Sequence, residues 1–415
     1  MEPVRPSRKR FPWLNQTFAA LRHRNYRLWF AGQLVSLFGT WMQITAQGFL
    51  VYELTRSPAY LGYVGFAAGL PSWLFMLYGG VAADRMSRRT LLVITQTAMM
   101  VLAFILAGLA FSGLVQPWHI IVLAFLLGTA NAFDAPARLA FVPELVARED
   151  LTNAIALNSA MFNIATVLGP AIAGVTYAAL GPAWCFTING ISFLAVIAAL
   201  LAMRIKPFVP VQQTISIFGR VKEGLHYALR HPLIRVINLN LAMVSLFALG
   251  FITLMPAWAV DVLGGDATTN GLLQSSRGLG ALVGALWIAA LGGTRSRGQM
   301  LTLGSFLMPV FLVLFSTTRQ LPLSMVTLFG AGLGFMVMMN SGNALVQVNV
   351  PDELRGRVMS LYSLIFFGLM PIGALINGQI ATRLGPPTTV LMNAVVMVAF
   401  AALIYLRVPD LRATR

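Results

Sequence analysis

The chain has 415 residues, 58% of them hydrophobic and 10% charged, with a formal net charge of +16. Soluble domains are about one-quarter charged, so this balance excludes an ordinary water-soluble fold and points to a polytopic helical membrane protein. A single cysteine, Cys185, excludes an internal disulfide, and four scattered histidines (His23, His119, His226, His231) have no metal-ligand spacing.

Residues 1–27 form a basic arm in which Phe18 to Arg27 reads as a surface anchor. Helix 1 is predicted over 28–52. It has full spanning length and no small-residue cleavage site, so it is expected to insert and stay. Gln33, Ser36, Thr40, Gln43 and Gln47 recur along it at offsets 0, 3, 7, 10 and 14. They form one polar stripe that faces water or protein rather than lipid. Such a stripe either lines a central cavity or makes hydrogen bonds between helices. Glu53 ends helix 1 on the outer side, where solvation is expected.

Helices 2 and 3, predicted over 59–83 and 90–112, flank the stretch GGVAADRMSRRT. Asp84, Arg85, Arg88 and Arg89 are the only Asp, Glu, Lys or Arg residues between Ser57 and Phe133. A charge at a helix centre costs roughly 2.5 kcal/mol or more on insertion scales, so this knot is read as a short loop outside the membrane. Helix 4, over 118–137, places Asp134 at its cytoplasmic end with Asn131 and Arg138 on the same face. Asp134 either pairs with Arg138 at the rim or carries a proton. The loop FVPELVAREDL and helices 5 (154–179) and 6 (183–203) complete the first half.

The longest interior segment without a span runs from Arg204 to Arg235. Pro207 and Pro210 discourage helix at its start. Ile215, Phe218, Val221, Leu225 and Leu229 then follow helical spacing, as in an interfacial helix on the inner leaflet. Six further spans are predicted at 236–260, 270–293, 299–316, 321–347, 358–382 and 387–406. Helix 7 carries Asn238, Asn240 and Thr253 with Phe247, Phe251 and Trp258. Arg277 lies about two turns into helix 8 from its outer end, where it holds an anionic substrate group or caps backbone carbonyls. Helix 10 offers Asn340, Ser341, Asn343 and Gln347 beside Met336, Met338 and Met339.

If the spans alternate, all but four of the 29 Lys and Arg residues fall on one side. Arg56, Arg319 and Arg383 lie on the other, and Arg277 is inside helix 8. Both termini are therefore cytoplasmic, and the basic excess is topological, with anionic headgroups rather than nucleic acid as its partner. The chain divides into the arm 1–27, a six-helix bundle 28–203, a cytoplasmic segment 204–235, a second bundle 236–406 and a tail 407–415. The halves echo each other: FVPELVAREDL after helix 4 matches VNVPDELRGRV after helix 10. The stretch TRSRG at Thr294 to Gly298 is a worn copy of SRR in which Gly293 replaces Asp84. Two parallel six-helix repeats with a site between them are a transporter architecture.

The segment GVAADRMSRR resembles the loop 2–3 signature of the major facilitator superfamily, with Gly80, Asp84, Arg85, Arg88 and Arg89 in the matching positions and Ser87 in place of the usual second glycine. NYRLWFAGQLVSLFGTWMQ, NAFDAPARLAFVPELV and PDELRGRVMSLYS resemble its enterobactin-exporter-like, drug:proton antiporter branch of transmembrane secretion effectors. Gly169, Pro170 and Gly174 resemble the helix-5 antiporter motif, with Ala173 where glycine is common. The resemblance implies an all-α fold of twelve transmembrane helices in two pseudo-symmetric bundles. It implies a cavity lined by helices 1, 4, 7 and 10, with Gln33, Thr40, Gln43, Gln47, Asn131, Asn238, Arg277, Asn340 and Asn343 as substrate-binding candidates. It also implies sliding contacts along helices 2, 5, 8 and 11, where Gly65 with Gly69, Gly169 with Ala173, Gly280 with Gly284, and Gly368 with Pro371 and Gly373 allow close approach. Asp84 is expected to latch the cytoplasmic side against Arg355 and Arg357 at the start of helix 11.

The expected activity is secondary export of small amphipathic organic compounds, drug- or siderophore-like, across the inner membrane. Protons are the expected coupling ion, with Asp134 and Glu53 as candidates for carrying them. Import, uniport, lysolipid-type transport, or a non-transporting sensor or assembly role remain alternatives. A monomer without cofactor or metal is expected. No HExxH, nucleophile elbow, Walker loop or dinucleotide fingerprint suggests an enzyme.

Overall fold

Proline sets many of the helix starts. Its missing N–H is one of the donors left orphaned in a first helical turn, and its fixed φ already suits a helix. The computed structural model describes residues 18–205, 217–291 and 296–408. In the first half α1 spans Arg24–Thr55, α2 Pro58–Arg85, α3 Arg88–Phe111, α4 Pro117–Leu145, α5 Leu151–Leu180 and α6 Pro182–Ala202. A connecting helix, Ile217–Arg230, leads to α7 (Pro232–Val262), α8 (Ala267–Leu291), α9 (Arg297–Thr317), α10 (Leu321–Asn349), α11 (Asp352–Leu384) and α12 (Pro386–Arg407). Among the described residues, eleven of these helices are long and apolar enough to cross a membrane. The remaining one, α8, has spanning length at 25 residues, but Asn270, Gln274 and Arg277 dilute its hydropathy.

Packing repeats at an interval of six helices. In the first half α2 lies on α4, and α3 is held between α4 and α6. In the second, α8 lies on α10, and α9 is held between α10 and α12. The repeat extends to the turns. Leu180-Gly181-Pro182 joins α5 to α6 with Gly181 at φ +89°, and Leu384-Gly385-Pro386 joins α11 to α12 with Gly385 at φ +79°. Both glycines occupy conformations that side-chain-bearing residues rarely adopt. The halves meet along two pairs, α2 with α11 and α5 with α8.

The helices run past their predicted ends, because charge ends an apolar window without ending the helical backbone. Asp84 and Arg85 lie in the last turn of α2, and Arg88 and Arg89 in the first turn of α3, so the expected loop shrinks to Met86 and Ser87. Arg355 and Arg357 likewise belong to the first turns of α11. Helix α4 continues to Leu145 despite Pro136 and Pro143, so Asp134 is inside it rather than at its end. Parts of the arm, central segment and tail (1–17, 206–216 and 409–415) lie outside the described residues. So do 292–295, which hold the Gly293 and Thr294 of the worn repeat.

The largest departure is α7, predicted as one regular helix. It is regular from Pro232 to Met243, π-helical over Val244–Ala248, 3₁₀ over Gly250–Leu254, and π-helical again over Trp258–Val262. Crowding against α11 accounts for this. A Cβ on Gly250 would sit 2.6 Å from the Gly373 carbonyl, and one on Gly373 would sit 2.4 Å from the Leu246 carbonyl. Asn377 of α11 donates to Leu246 O at 3.2 Å, satisfying a carbonyl where the ladder is disturbed. Pro256 removes a further donor.

The connecting helix packs against α11, and Arg357 donates to its Glu223. Leu225 and Leu229 are exposed on it, in keeping with a helix lying on a lipid surface, and Ala228 is buried.

Asn377→Ala should leave Leu246 O unpaired and destabilise the protein by about 1–3 kcal/mol, seen as a lower melting temperature in detergent. An unchanged melting temperature would mean that the irregular winding needs no side-chain donor.

Candidate functional site

At the end of the bundles that carries Asp84 and Arg355, several charged residues are tied to neighbours on their own side of the chain. Arg88 pairs with Glu144 at the end of α4. Arg89 donates to the Leu201 and Met203 carbonyls at 2.8 and 3.4 Å, capping the end of α6 with positive charge. Arg355 pairs with Asp352 one turn earlier, and Arg357 with Glu223. The Asp84 carboxylate makes no hydrogen bond or ion pair with a described residue, and a Cβ on Gly80 would meet nothing within 4 Å. Asp84 also sits at the negative end of the α2 dipole, an unfavourable place for a carboxylate. The contact between Asp84 and the start of α11 is therefore open.

At the opposite end of the bundles the two halves are joined. Tyr52, near the end of α1, donates to Asp261 near the end of α7, and Tyr63 of α2 accepts from Gln379 of α11 at 2.9 Å. A Cβ on Gly62 would meet Ala374 O at 2.9 Å, and one on Gly174 would meet Ala267 O at 2.7 Å. Several expected small-residue contacts turn out differently. Gly69 does meet Pro371, but Gly169 faces Trp41 of its own half, and Gly280 and Gly284 face α10. The α5–α8 contact uses Gly174, Gly271 and Gly278 instead, because the wheel position of a small residue does not reveal which neighbour it faces.

Between the two ends lie the polar residues. Gln43 accepts from Asn189 of α6 at 2.6 Å, and Gln47 donates to Ile120 O of α4 at 3.5 Å, so both bind inside the first half. Thr40 bonds back to Ser36 O, and Asn131 to Leu127 O. In the second half Asn343 accepts from Gln347 at 2.5 Å, while Asn340 is half-buried with no hydrogen bond among the described residues. Gln33 Nε2, both polar atoms of Asn238, and Arg277 Nε are buried without partners. Orphaned buried polar groups are uncommon and call for a water, an ion or a ligand.

Asp134 is 1% exposed. Its Oδ1 accepts from Thr95 Oγ1 and Gln96 Nε2 of α3, both at 2.9 Å, and Arg138 Nε lies 3.5 Å from Oδ2. The expected Asp134–Arg138 pair exists, but under α3 rather than at an open rim. Glu53 is exposed and accepts from Tyr177 of α5. Sequence reading missed Tyr52, Asp261, Thr95 and Gln96. The one available signal was that Tyr52 and Asp261 lie near the ends of helices related by the repeat.

A model of the transmembrane secretion effectors, a family of the major facilitator type, matches residues 15–414. The chain belongs to this family. Among relatives, this secretion effector is 24% identical to the staphyloferrin A transporter of Staphylococcus aureus over 86% of its own length and 90% of the relative's. It is 25% identical to macrolide efflux protein A of Streptococcus pyogenes, over 91% and 94%. It is 26% identical to the enterobactin exporter EntS of Salmonella typhimurium, over 97% of each. Its fold matches the inward-facing, occupied structure of a bacterial homolog of the human lysosomal transporter Spinster, with a TM-score of 0.73 at 14% identity over 94% and 98% of the chains. The family and relatives are transporters, and this effector is a multi-pass membrane protein.

Tyr52→Phe removes the bond to Asp261 and should weaken outer closure by about 1 kcal/mol, or several-fold. The test is labelling of Gly48→Cys, which faces Pro256 of α7, by an impermeant maleimide from outside in a Cys185→Ala background. Equal labelling with and without the Tyr52→Phe change would remove the bond from the outer gate.

Proposed function

We propose that this protein exports small amphipathic organic compounds across the inner membrane by alternating access, driven by proton entry. The observation that carries this reading is the asymmetry of closure. Backbone contact and the Tyr52–Asp261 bond join the halves outside, while Asp84 has no partner across the halves inside. In that state the interior communicates with the cytoplasm, the side from which an exporter loads. Relatives named as exporters and efflux proteins support the direction. The orphaned amides Gln33 and Asn238, the half-buried Asn340 and Asn343, and the methionines of α10 suit compounds with both apolar bodies and hydrogen-bonding groups. The working unit is a monomer with both termini cytoplasmic, its basic inner face against anionic headgroups.

On this reading Asp84 is a latch for the opposite state. When the inner ends close, its carboxylate gains the arginines of α11, and Arg355 and Arg357 give up Asp352 and Glu223. Asp134 is the coupling group. It is the most buried carboxylate among the described residues, and its Oδ2 accepts no hydrogen bond. Glu53 is the fallback.

The decisive measurement compares intracellular retention of a broad panel of drugs and metabolites in a deletion strain and an overexpressing strain. Amphipathic compounds should be retained several-fold less on overexpression, and Asp84→Asn should abolish the difference with normal membrane levels of protein. Identical retention of every compound in both strains would sink export. Asp134→Asn should make efflux from inverted vesicles indifferent to an imposed pH gradient; persistence of the dependence would move the coupling role to Glu53.

A further inference from the structure

We propose that the interior face of α8 is an anion-binding subsite, with Arg277 as the counter-charge and Asn270 as a neutral donor, and that the transported compounds include amphipathic organic acids. The transport half of this statement rests on the export reading above; the binding half does not.

Arg277 lies ten residues beyond Ala267, about 15 Å into the helix at 1.5 Å per residue. A cation at such depth is costly and marks a functional site unless it is paired. Its direction follows from its neighbours. Leu286, nine residues on and so about two and a half turns away, is 61% exposed on the outer surface of the bundle. Arg277 therefore occupies the opposite face, toward the interior of the bundle.

The chain offers Arg277 nothing to hold. Its side chain has no hydrogen bond or ion pair with a described residue, and its Nε is buried and orphaned. Carbonyl capping, the alternative left open by the sequence, is thus not made. The described carboxylates of the second half all lie at helix ends, and three of the four have partners elsewhere. Asp261 accepts from Tyr52, Asp266 caps the start of α8 through Thr269 N at 3.0 Å, Asp352 pairs with Arg355, and Glu353 shares the first turn of α11. Among the described residues no carboxylate forms an ion pair with Arg277.

Asn270 is a second, independent sign. It is fully buried at 0% exposure, and its Nδ2 has no partner. Gln274 Nε2 donates to its Oδ1 at 3.2 Å, which fixes the amide with the donor end free. Asn270, Gln274 and Arg277 follow one another at i, i+4 and i+7 on a single face. Helical side chains lean toward the N-terminus, so the guanidinium leans along the face toward Asn270. A carboxylate or phenolate on Arg277 with an adjoining acceptor on Asn270 would complete both unpartnered groups.

The test uses the purified full-length protein and two dyes with the same xanthene core, anionic carboxyfluorescein and cationic rhodamine 6G, with binding followed by fluorescence anisotropy. Carboxyfluorescein should bind at least tenfold more tightly than rhodamine 6G. Arg277→Gln should erase that preference, and Arg277→Lys should keep most of it. Asn270→Asp supplies the arginine with an internal partner, so it should erase the preference with the arginine still in place, a control should Arg277→Gln fail to fold. Absence of carboxyfluorescein binding, affinity no better than that of rhodamine 6G, or a preference that survives both Arg277→Gln and Asn270→Asp would overturn the subsite. Anion binding in a protein that changes no compound's retention in cells would overturn export and leave the subsite standing. Export confined to neutral and cationic compounds, with no anion preference, would overturn the subsite alone.

Discussion

Everything in this molecule depends on backbone meeting backbone between the two halves. Along α2 and α11 a Cβ on Gly378 would sit 2.8 Å from Gly62 Cα, and along α5 and α8 one on Gly271 would sit 2.4 Å from Pro170 O. Lipid supplies no hydrophobic drive for helices to associate, so close van der Waals approach must do it. Larger side chains are few along this seam, with Pro371 seated against Gly69 and Trp73 against Gly368. These contacts hold the halves together, while Asp84 makes no bond across to α11.

Polar chemistry is divided to match. Many bonds run within a half, as in Gln43 with Asn189, Arg89 with the carbonyls ending α6, and Asp134 Oδ1 with Thr95 and Gln96. These make each bundle a firm body. Other buried groups are left incomplete, among them Asn238, Asn270 and Arg277. A half-satisfied network is a poor way to stabilise a core and a good way to receive a polar molecule whose own groups complete it.

Much of this was legible in the chain. Twelve apolar runs, the one-sided placement of arginine and the echoed loops suffice for the architecture, because the bilayer punishes exceptions so heavily. Helix lengths were underestimated for the same reason: Asp84 and Arg355 end an apolar window, but they continue as helix beyond it. The winding of α7 was out of reach, since it answers to Gly373 and Asn377 more than a hundred positions away. The stripe on helix 1 was seen as a stripe, but only the position of Asn189 decides that Gln43 bonds sideways to α6. For Arg277 the sequence left two partners open, and among the described residues no carbonyl accepts from its guanidinium.

The irregular winding of α7 has one more implication. Its counterpart by the repeat, α1, is a continuous α-helix of 32 residues, while α7 changes hydrogen-bond pitch repeatedly between Met243 and Val262. Longer and shorter pitches have poorer bond geometry and interconvert more readily than a regular helix. The two bundles are therefore twins in topology and unequal in stiffness, a rod facing a jointed limb. On the alternating-access reading proposed above, rocking between such halves is not shared equally: one acts as the anvil, and the other does the bending.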